Sequence, residues 1–269
     1  MKVLFLIYHG FSEVSGISKK IHYQVKGLRE NGYEVHLCYY DFSSEGHRCR
    51  YINGKVIKDY GTGRMAAIRQ RLDYDCIYKY CIDNGIQFVY ARSFQNANPV
   101  LISFFRKLRK AGIRSVTEIP TYPYDGEFNG FPLLTRMGLL VDKMFRNSLS
   151  SNMDAIVTFS AAKRIFGQRT INISNGVDFD SIPIHAFTKT DDAIHLVGVA
   201  EVHYWHGYDR MVAGLGEYYK KNPDGKKVYF HIVGGIWSGN LVDSKNAPGI
   251  LTLIDKYDIA DYVIMHGQL

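Results

Sequence analysis

A doubly wound α/β architecture is what this sequence predicts, and three observations carry the prediction. The chain opens on a continuous apolar run at residues 3–8, closed by His9-Gly10, as a parallel strand buried on both faces would be. Ile17, Ile21, Val25 and Leu28 follow at helical spacing, Asn31-Gly32 supplies a left-handed stop, and a second apolar run begins at Glu34. The strand, helix, strand alternation restarts near residue 194, after a shift in composition through Ile182-Pro183 and residues 188–192. One complete parallel-sheet domain over residues 1–182 is therefore expected, with the first part of a second over 183–269.

The elements follow in order. Residues 2–8 read as the first strand, 16–31 as the first helix and 34–40 as the second strand. Asn53-Gly54 lies between extended residues at 51–60, which predicts a small hairpin with a type I′ turn. A long helix is expected over 64–84, a strand over 87–90, a helix over 98–111 and a strand over 114–118. Prolines and glycines crowd residues 119–131 with no period, so that stretch reads as a long loop. A helix over 133–149 and strands over 155–158 and 171–173 close the first domain. The second domain alternates a strand at 194–199, a helix at 208–221, a strand at 227–233, a helix at 251–257 and a strand at 262–266. No covering helix follows that last strand, and a second domain cut short is the expectation.

Composition removes several classes. With 46% apolar and 22% charged residues over 269 positions, the chain is a folded protein and not a disordered one. At that length a core forms without disulfides or a metal. The first apolar run is too short to span a membrane and no cleavable leader accompanies it, which predicts a cytoplasmic protein. Cys38, Cys49, Cys76 and Cys81 are scattered with no Cys-x-x-Cys pair, so neither a zinc ribbon nor a disulfide framework is expected. The net charge of +7 suits nucleic acid, a membrane surface or a phosphorylated ligand. Nucleic acid ranks last, because no Lys/Arg-dense recognition helix and no aromatic RNP-like strand is present. Twenty Tyr and fifteen Phe serve cores and sugar stacking alike.

Candidate site residues stand at strand ends. The first strand-to-helix joint lacks Gly-x-Gly-x-x-Gly, which argues against an NAD or FAD enzyme. Ser15-Gly16-Ile17-Ser18 offers helix amides to an anion, although an ordinary N-cap accounts for the spacing more simply. Asn175-Gly176-Val177-Asp178 is a turn. Gly234 and Gly235 end a second-domain strand, where they either admit a base or ribose closely or merely turn the chain. His206 and Arg210 open the following helix and can direct charge at a phosphate, with Trp205 as a packing anchor. His203 and His206 lack a third ligand, so no metal site is expected. Arg92 and Ser93 close a first-domain strand at its ligand edge, where a salt bridge is the simpler role for the arginine. Glu118, Tyr122, Tyr124 and Asp125 combine carboxylates with aromatics, as a sugar-hydroxyl site requires, and tyrosines also pack loops. No nucleophile elbow supports hydrolysis. The helix at 133–149 mixes an apolar stripe with Arg136, Lys143 and Arg146; a core-facing helix is the expectation, an interfacial one the alternative.

Taken in order, several of these segments resemble one family. The strand at 3–7, Ser15-Gly16-Ile17, Asn-Gly-Tyr-Glu-Val at 31–35, Val-Thr-Phe-Ser at 157–160, Ser-Asn-Gly-Val-Asp at 174–178 and His-Ile-Val-Gly-Gly at 231–235 resemble a GT-B glycosyltransferase of family 4. Residues 118–125 and 205–210 resemble its branch in bacterial surface or capsular polysaccharide assembly. The resemblance implies retaining transfer from a nucleotide sugar to a glycan or lipid-linked acceptor, with no metal and no cofactor beyond the nucleotide-sugar substrate. It implies two Rossmann-like domains, the acceptor on the first and the donor on the second, in a cytoplasmic protein with peripheral contact at the inner membrane face. By this likeness Gly16, His206 and Arg210 meet the donor phosphates and Gly234 and Gly235 the nucleotide. Arg92, Ser93, Glu118, Tyr122, Tyr124 and Asp125 fall on the acceptor side, and no catalytic residue is assigned. Two departures stand out. Where the family places an Arg and a Lys-Gly after the first donor-domain strand, this chain has residues 198–200 and His206-Gly207. The family's paired glutamates lie beyond residue 269. The resemblance therefore implies an incomplete donor site and no turnover, with a non-catalytic acceptor-binding module as the alternative.

Overall fold

The apolar run at the start of the chain becomes β1 (Lys2–Leu6), and the larger of two sheets is organised around it. The computed structural model describes the chain except for residues 13–14, 93–95, 126–132, 185, 187–190, 204–205, 236–247 and 269. It divides into two compact units, Met1–Pro183 and Ile184–Leu269.

In the first unit β1 pairs in parallel with β2 (Glu34–Phe42) on one side and β5 (Phe88–Arg92) on the other, with Phe5 opposite Leu37 and Tyr90. Beyond β5 the parallel order continues through β6 (Arg114–Ile119), β7 (Ala155–Thr158) and β9 (Gln168–Asn172). Beyond β2 lies the antiparallel hairpin of β3 (Arg48–Ile52) and β4 (Lys55–Asp59). Asn53 and Gly54 turn it with φ of 48° and 80°, as a type I′ turn requires. A two-residue strand, β8 (Arg164–Ile165), pairs back on β9 through a left-handed Phe166-Gly167 turn, and periodicity gives no sign of so short an element.

Helices cover both faces. Ile21 and Val25 of α1 (Gly16–Glu30) are buried with Val3, Phe5, Ile7, Val35 and Leu37. On the other face, Leu4, Leu6 and Tyr8 share a core with Ile77 and Cys81 of α3 (Asp75–Asp83) and with Leu101, Phe104, Phe105 and Leu108 of α4 (Pro99–Lys110). Asn98 caps α4 by accepting from the Val100 and Leu101 N–H groups. The nineteen-residue α5 (Leu133–Ser151) precedes β7.

The long helix expected over 64–84 is two helices, α2 (Gly63–Leu72) and α3. The break has an identifiable cause in a distant strand. Arg50 of β3 has no exposed surface, and its Nη2 donates to the carbonyls of Gln70 (2.7 Å) and Asp73 (3.1 Å) and to the Tyr40 hydroxyl (2.9 Å). A cation on the last carbonyls of a helix terminates it favourably. Asp73 then leaves the helix with φ −83° and ψ 99°, Tyr74 turns into the core, and Asp73 Oδ1 accepts from the Asp75 and Cys76 N–H groups to start α3.

The second unit holds the parallel strands β10 (Ile194–Val199), β11 (Val228–Val233) and β12 (Val263–Gly267). Val212 and Leu215 of α6 (Tyr208–Lys221) and Ile250, Leu253 and Ile254 of α7 (Ile250–Tyr257) pack with Phe230 and Ile232 on one face. Gly216 of α6 leaves room for the Tyr257 ring that lies against it. The opposite face carries exposed Val197 and Val199 and a row of histidines, with His195 Nδ1 2.8 Å from His231 Nε2 and His231 Nδ1 2.9 Å from His266 Nε2. Burial and these two neighbours pull the His231 pKa below its ordinary value.

Replacing Arg50 by Ala removes the group that closes α2, leaves the buried Gln70 carbonyl without this donor and weakens the pairing of the part-buried Asp73 carbonyl. Arg50→Ala is expected to cost about 3 kcal/mol or more, read as a lowered urea midpoint for the first unit.

Candidate functional site

The strand order reverses at β1: the chain moves out through β2 on one side and through β5 and β6 on the other. Open α/β sheets take ligands beyond the carboxyl ends of their strands at such a point. There, at the end of β6, stands Glu118 with no exposed surface. Its Oε1 accepts from Lys20 Nζ at 3.0 Å, and its Oε2 accepts from Gln24 Nε2 at 2.9 Å and from the Tyr90 hydroxyl at 2.6 Å. Lys20 and Gln24 reach it together because they sit one turn apart on α1. Arg92 Nη1 lies 3.9 Å from Oε1; this nitrogen is buried and makes no hydrogen bond among the described residues. Lys20 Nζ also stands 3.8 Å from the centroid of the Phe159 ring.

Burial by itself would raise the Glu118 pKa, but the hydrogen bonds from Tyr90 and Gln24 and the Lys20 ammonium outweigh it and hold the carboxyl below its ordinary value. Burial draws the Lys20 ammonium downward against the pull of Glu118. The Tyr90 phenol is pushed well up, first by burial and then by the carboxylate it donates to. A carboxylate so fully engaged is a fixed counter-charge and not a base, and it holds two cations at the sheet edge.

A separate cavity of about 450 Å³ opens where β1 and β2 end; Tyr8, His9, Asp41, Arg48, Tyr74 and Asn96 are among its lining residues, and none of the Glu118 cluster lines it. His9 Nδ1 lies 2.8 Å from the Gly10 carbonyl. A carbonyl only accepts, so in the neutral ring Nδ1 carries the proton and Nε2 presents a lone pair. That Nε2 is buried with no partner among the described residues. The Asp41 carboxylate lies against Gly10, where a side chain at position 10 would collide with it. Acceptors at His9 and Asp41, donors at Arg48 and Asn96 and tyrosine walls are the chemistry of a polyhydroxylated, partly apolar ligand.

The residues expected on the acceptor side separate into two places. Arg92 and Glu118 come together, while Ser93 lies outside the described residues. Tyr122 meets the edge of Phe166, Tyr124 is buried and donates to Asp142 Oδ2 at 2.9 Å, and Asp125 accepts from Arg146 at 2.8 and 3.2 Å. The Arg146 guanidinium, together with the Lys143 ammonium 3.3 Å from Asp125 Oδ2, holds the Asp125 carboxyl below its usual range. Burial raises the Asp142 pKa against hydrogen bonds from the Ala97 N–H and Tyr124. Tyr122, Tyr124 and Asp125 thus anchor their segment, Tyr124 and Asp125 directly on α5, and none of the three lines the cavity.

The phosphate and nucleotide candidates also have local roles. Ser15 caps α1 by accepting from the Ser18 N–H at 3.3 Å, and Gly16 faces open space. In the second unit Gly207 starts α6 with φ 70°, and the Arg210 guanidinium folds over it. His206 Nδ1 accepts from the His203 N–H at 2.9 Å. Gly234, at φ 126°, lies against the Ala200 carbonyl and donates to the Gly267 carbonyl at 2.7 Å, so its missing side chain is already required by the backbone. Gly235 accepts from the Val202 N–H at 2.8 Å, and Trp205 lies outside the described residues. Among the described residues no group of three His, Cys, Asp or Glu side chains is placed to hold a metal.

Sequence reasoning missed Lys20, Gln24 and Tyr90 around Glu118, and His9, Asp41 and Arg48 around the cavity. The i, i+4 pair on α1 and the strand-terminal His9 were readable signals; their shared target was not.

No family model matches the chain, and no curated protein matches it in sequence. Its fold does match solved structures. One is assigned as a UDP-N-acetylglucosamine 2-epimerase from Listeria monocytogenes, at 9% identity and TM-score 0.53, covering 100% of this chain and 69% of that one. Another is a trehalose-6-phosphate synthase studied with bisubstrate glycomimetics of glycosyl transfer with retention, at 12% identity and TM-score 0.51, covering 100% and 73%. A third is OtsA in its apo form, at 12% identity and TM-score 0.52 with the same coverage. What this chain shares with them is the fold, Rossmann-like α/β units of the GT-B type.

Glu118→Gln leaves Lys20 and Arg92 without their counter-charge and is expected to cost about 2–3 kcal/mol near neutral pH. Because the folded pKa is depressed, the Glu118 contribution is full above the unfolded value of about 4.3 and is lost as pH falls through the folded value. Urea midpoints of wild type and variant should therefore differ most near neutrality and converge in acid below about pH 4.

Proposed function

We propose that this chain acts as a retaining glycosyltransferase, moving a sugar from a nucleotide sugar to a glycan or lipid-linked acceptor in polysaccharide assembly, in place of the absence of turnover that the resemblance implied. The cavity at the carboxyl ends of β1 and β2 carries this reading. It sits where an α/β sheet takes its ligand, and it offers acceptors, donors and aromatic walls together. The trehalose-6-phosphate synthase likeness supports the class of reaction, because that enzyme is described as transferring a glycosyl group with retention.

In this reading the first unit holds the acceptor. His9 Nε2 and the Asp41 carboxylate accept its hydroxyl protons, and Arg48 binds an anionic group on it. Arg92 and Lys20, fixed by Glu118, supply positive potential at the reversal of strand order. Ser93 is assigned to the acceptor by the resemblance alone, and Tyr122, Tyr124 and Asp125 shape the acceptor side through their anchorage and not by contact. The donor falls to the second unit, with Gly234 and Gly235 at the nucleotide and His206 and Arg210 at its phosphates. As the sugar–phosphate bond breaks, negative charge grows on the leaving diphosphate. Positioned cations and helix N-termini stabilise that charge. The acceptor oxygen forms the new bond on the same face, and its proton leaves with the diphosphate.

The test is release of nucleoside diphosphate from UDP- and GDP-sugars in the presence of lipid-phosphate saccharides. His9→Ala is expected to raise the acceptor KM about tenfold with a smaller change in kcat, as loss of a binding hydrogen bond does. Arg92→Ala is expected to lower kcat by about 10- to 100-fold. Saccharide binding without release from any donor, or variants with unchanged kinetics, would contradict the reading.

A further inference from the structure

Two helices that border the cavity turn apolar side chains outward. On α2, Met65, Ile68 and Leu72 are 60%, 50% and 42% exposed. On α5, Met137, Leu140, Val141 and Met144 are 53%, 61%, 43% and 75% exposed. Both sets fall at helical spacing on one side of their helix. Leu72 from α2 and Gly138 and Val141 from α5 all line the cavity, with Phe42, itself 56% exposed, at the end of β2. The two stripes therefore converge on one opening. An amphipathic helix of a soluble enzyme turns such a stripe inward, which was the expectation for residues 133–149. Here α5 turns Asp142 inward instead, where it is buried and bonded to Ala97 and Tyr124.

The charges on these helices have one sign. The α2 helix carries Arg64, Arg69 and Arg71 and no acidic residue. The α5 helix carries Arg136, Lys143 and Arg146, and its only acid is the buried Asp142. Asp125 offsets part of this charge through Lys143 and Arg146. The arginines of α2 and Arg136 are exposed. Neighbouring α4 adds Arg106, Lys107, Arg109 and Lys110, again without an acid.

Apolar side chains rimmed mainly by cations, with Asp125 and the Asp75 that pairs with Lys107 as nearby acids, fit the headgroup boundary of an anionic bilayer. A second copy of the chain fits poorly, since a two-fold contact would set these cations against each other. We propose that the α2–α5 face docks on an anionic lipid surface with the cavity mouth toward it. A lipid-linked acceptor then reaches His9 and Asp41 from the membrane side, a step that rests on the acceptor reading of the cavity, whereas the docking does not.

Co-sedimentation of the full chain with phosphatidylcholine vesicles, with and without phosphatidylglycerol, tests the docking without any sugar transfer. Binding is expected on phosphatidylglycerol vesicles, weakened by salt, and not on phosphatidylcholine alone. Leu140→Glu with Met144→Glu places carboxylates on exposed positions and should weaken binding by about tenfold or more. Leu251→Glu, at a 43% exposed position on α7, should bind like wild type. An unchanged circular dichroism spectrum confirms that each variant is folded. Absence of binding to anionic vesicles overturns the proposal, and so does equal binding by the Leu140, Met144 double variant. Self-association abolished by that variant, without vesicle binding, assigns the face to a second copy and overturns it as well. Failure of docking would leave the transfer reaction standing, because the two are read in separate assays.

Discussion

A carboxylate with no exposed surface is held at the edge of the sheet by side chains from α1 and β5, while it belongs to β6 itself. An unpaired charge in that position would cost several kcal/mol, so the Lys20, Gln24 and Tyr90 hydrogen bonds are a condition of the fold and not an addition to it. Their satisfaction fixes the start of α1 against the ends of β5 and β6. That is the region where the strand order reverses and where ligands of such sheets are received. Glu118 therefore serves the site by being unavailable to it: its charge is spent on positioning Lys20 and Arg92.

The cavity at the ends of β1 and β2 is built differently. Two of its polar groups are oriented by backbone, His9 through the Gly10 carbonyl and Asp41 through the Phe42 N–H. Preorganisation of that kind lets a small number of groups select among hydroxylated ligands without reordering on binding. The opening lies between two helices whose outward faces are apolar and cationic, and the acceptor we propose, a saccharide carried on a lipid, matches both the cavity and its surroundings.

Much of the fold was legible because local signals and tertiary structure agree. Residues 194–199 were read as a strand and are one to the residue, and Asn53-Gly54 turns the hairpin as its φ preference requires. The break between α2 and α3 was not legible, since its cause is an arginine twenty positions away on a strand. Arg92 and Glu118 were each readable as strand-end residues; their pairing, and their partners on α1, depend on how strands and helix lie together. Tyr124 and Asp125 have the composition of a sugar site, yet Asp142 and Arg146 engage them, and composition does not say which partner a tyrosine or a carboxylate finds. The stripe on α5 was visible as a period, but a period does not say whether a helix faces the core or the solvent.

In the proposed function the acceptor is received at the carboxyl ends of β1, β2 and β5. Amide hydrogen exchange of the full chain, with and without a saturating lipid-phosphate saccharide, measures this directly. Slowed exchange is expected at residues 8–10, 40–42 and 96–98, which line the cavity, with the amino-terminal ends of the same strands unchanged. Protection confined to other segments, or a ligand-bound state with no slowing at those three, would contradict it.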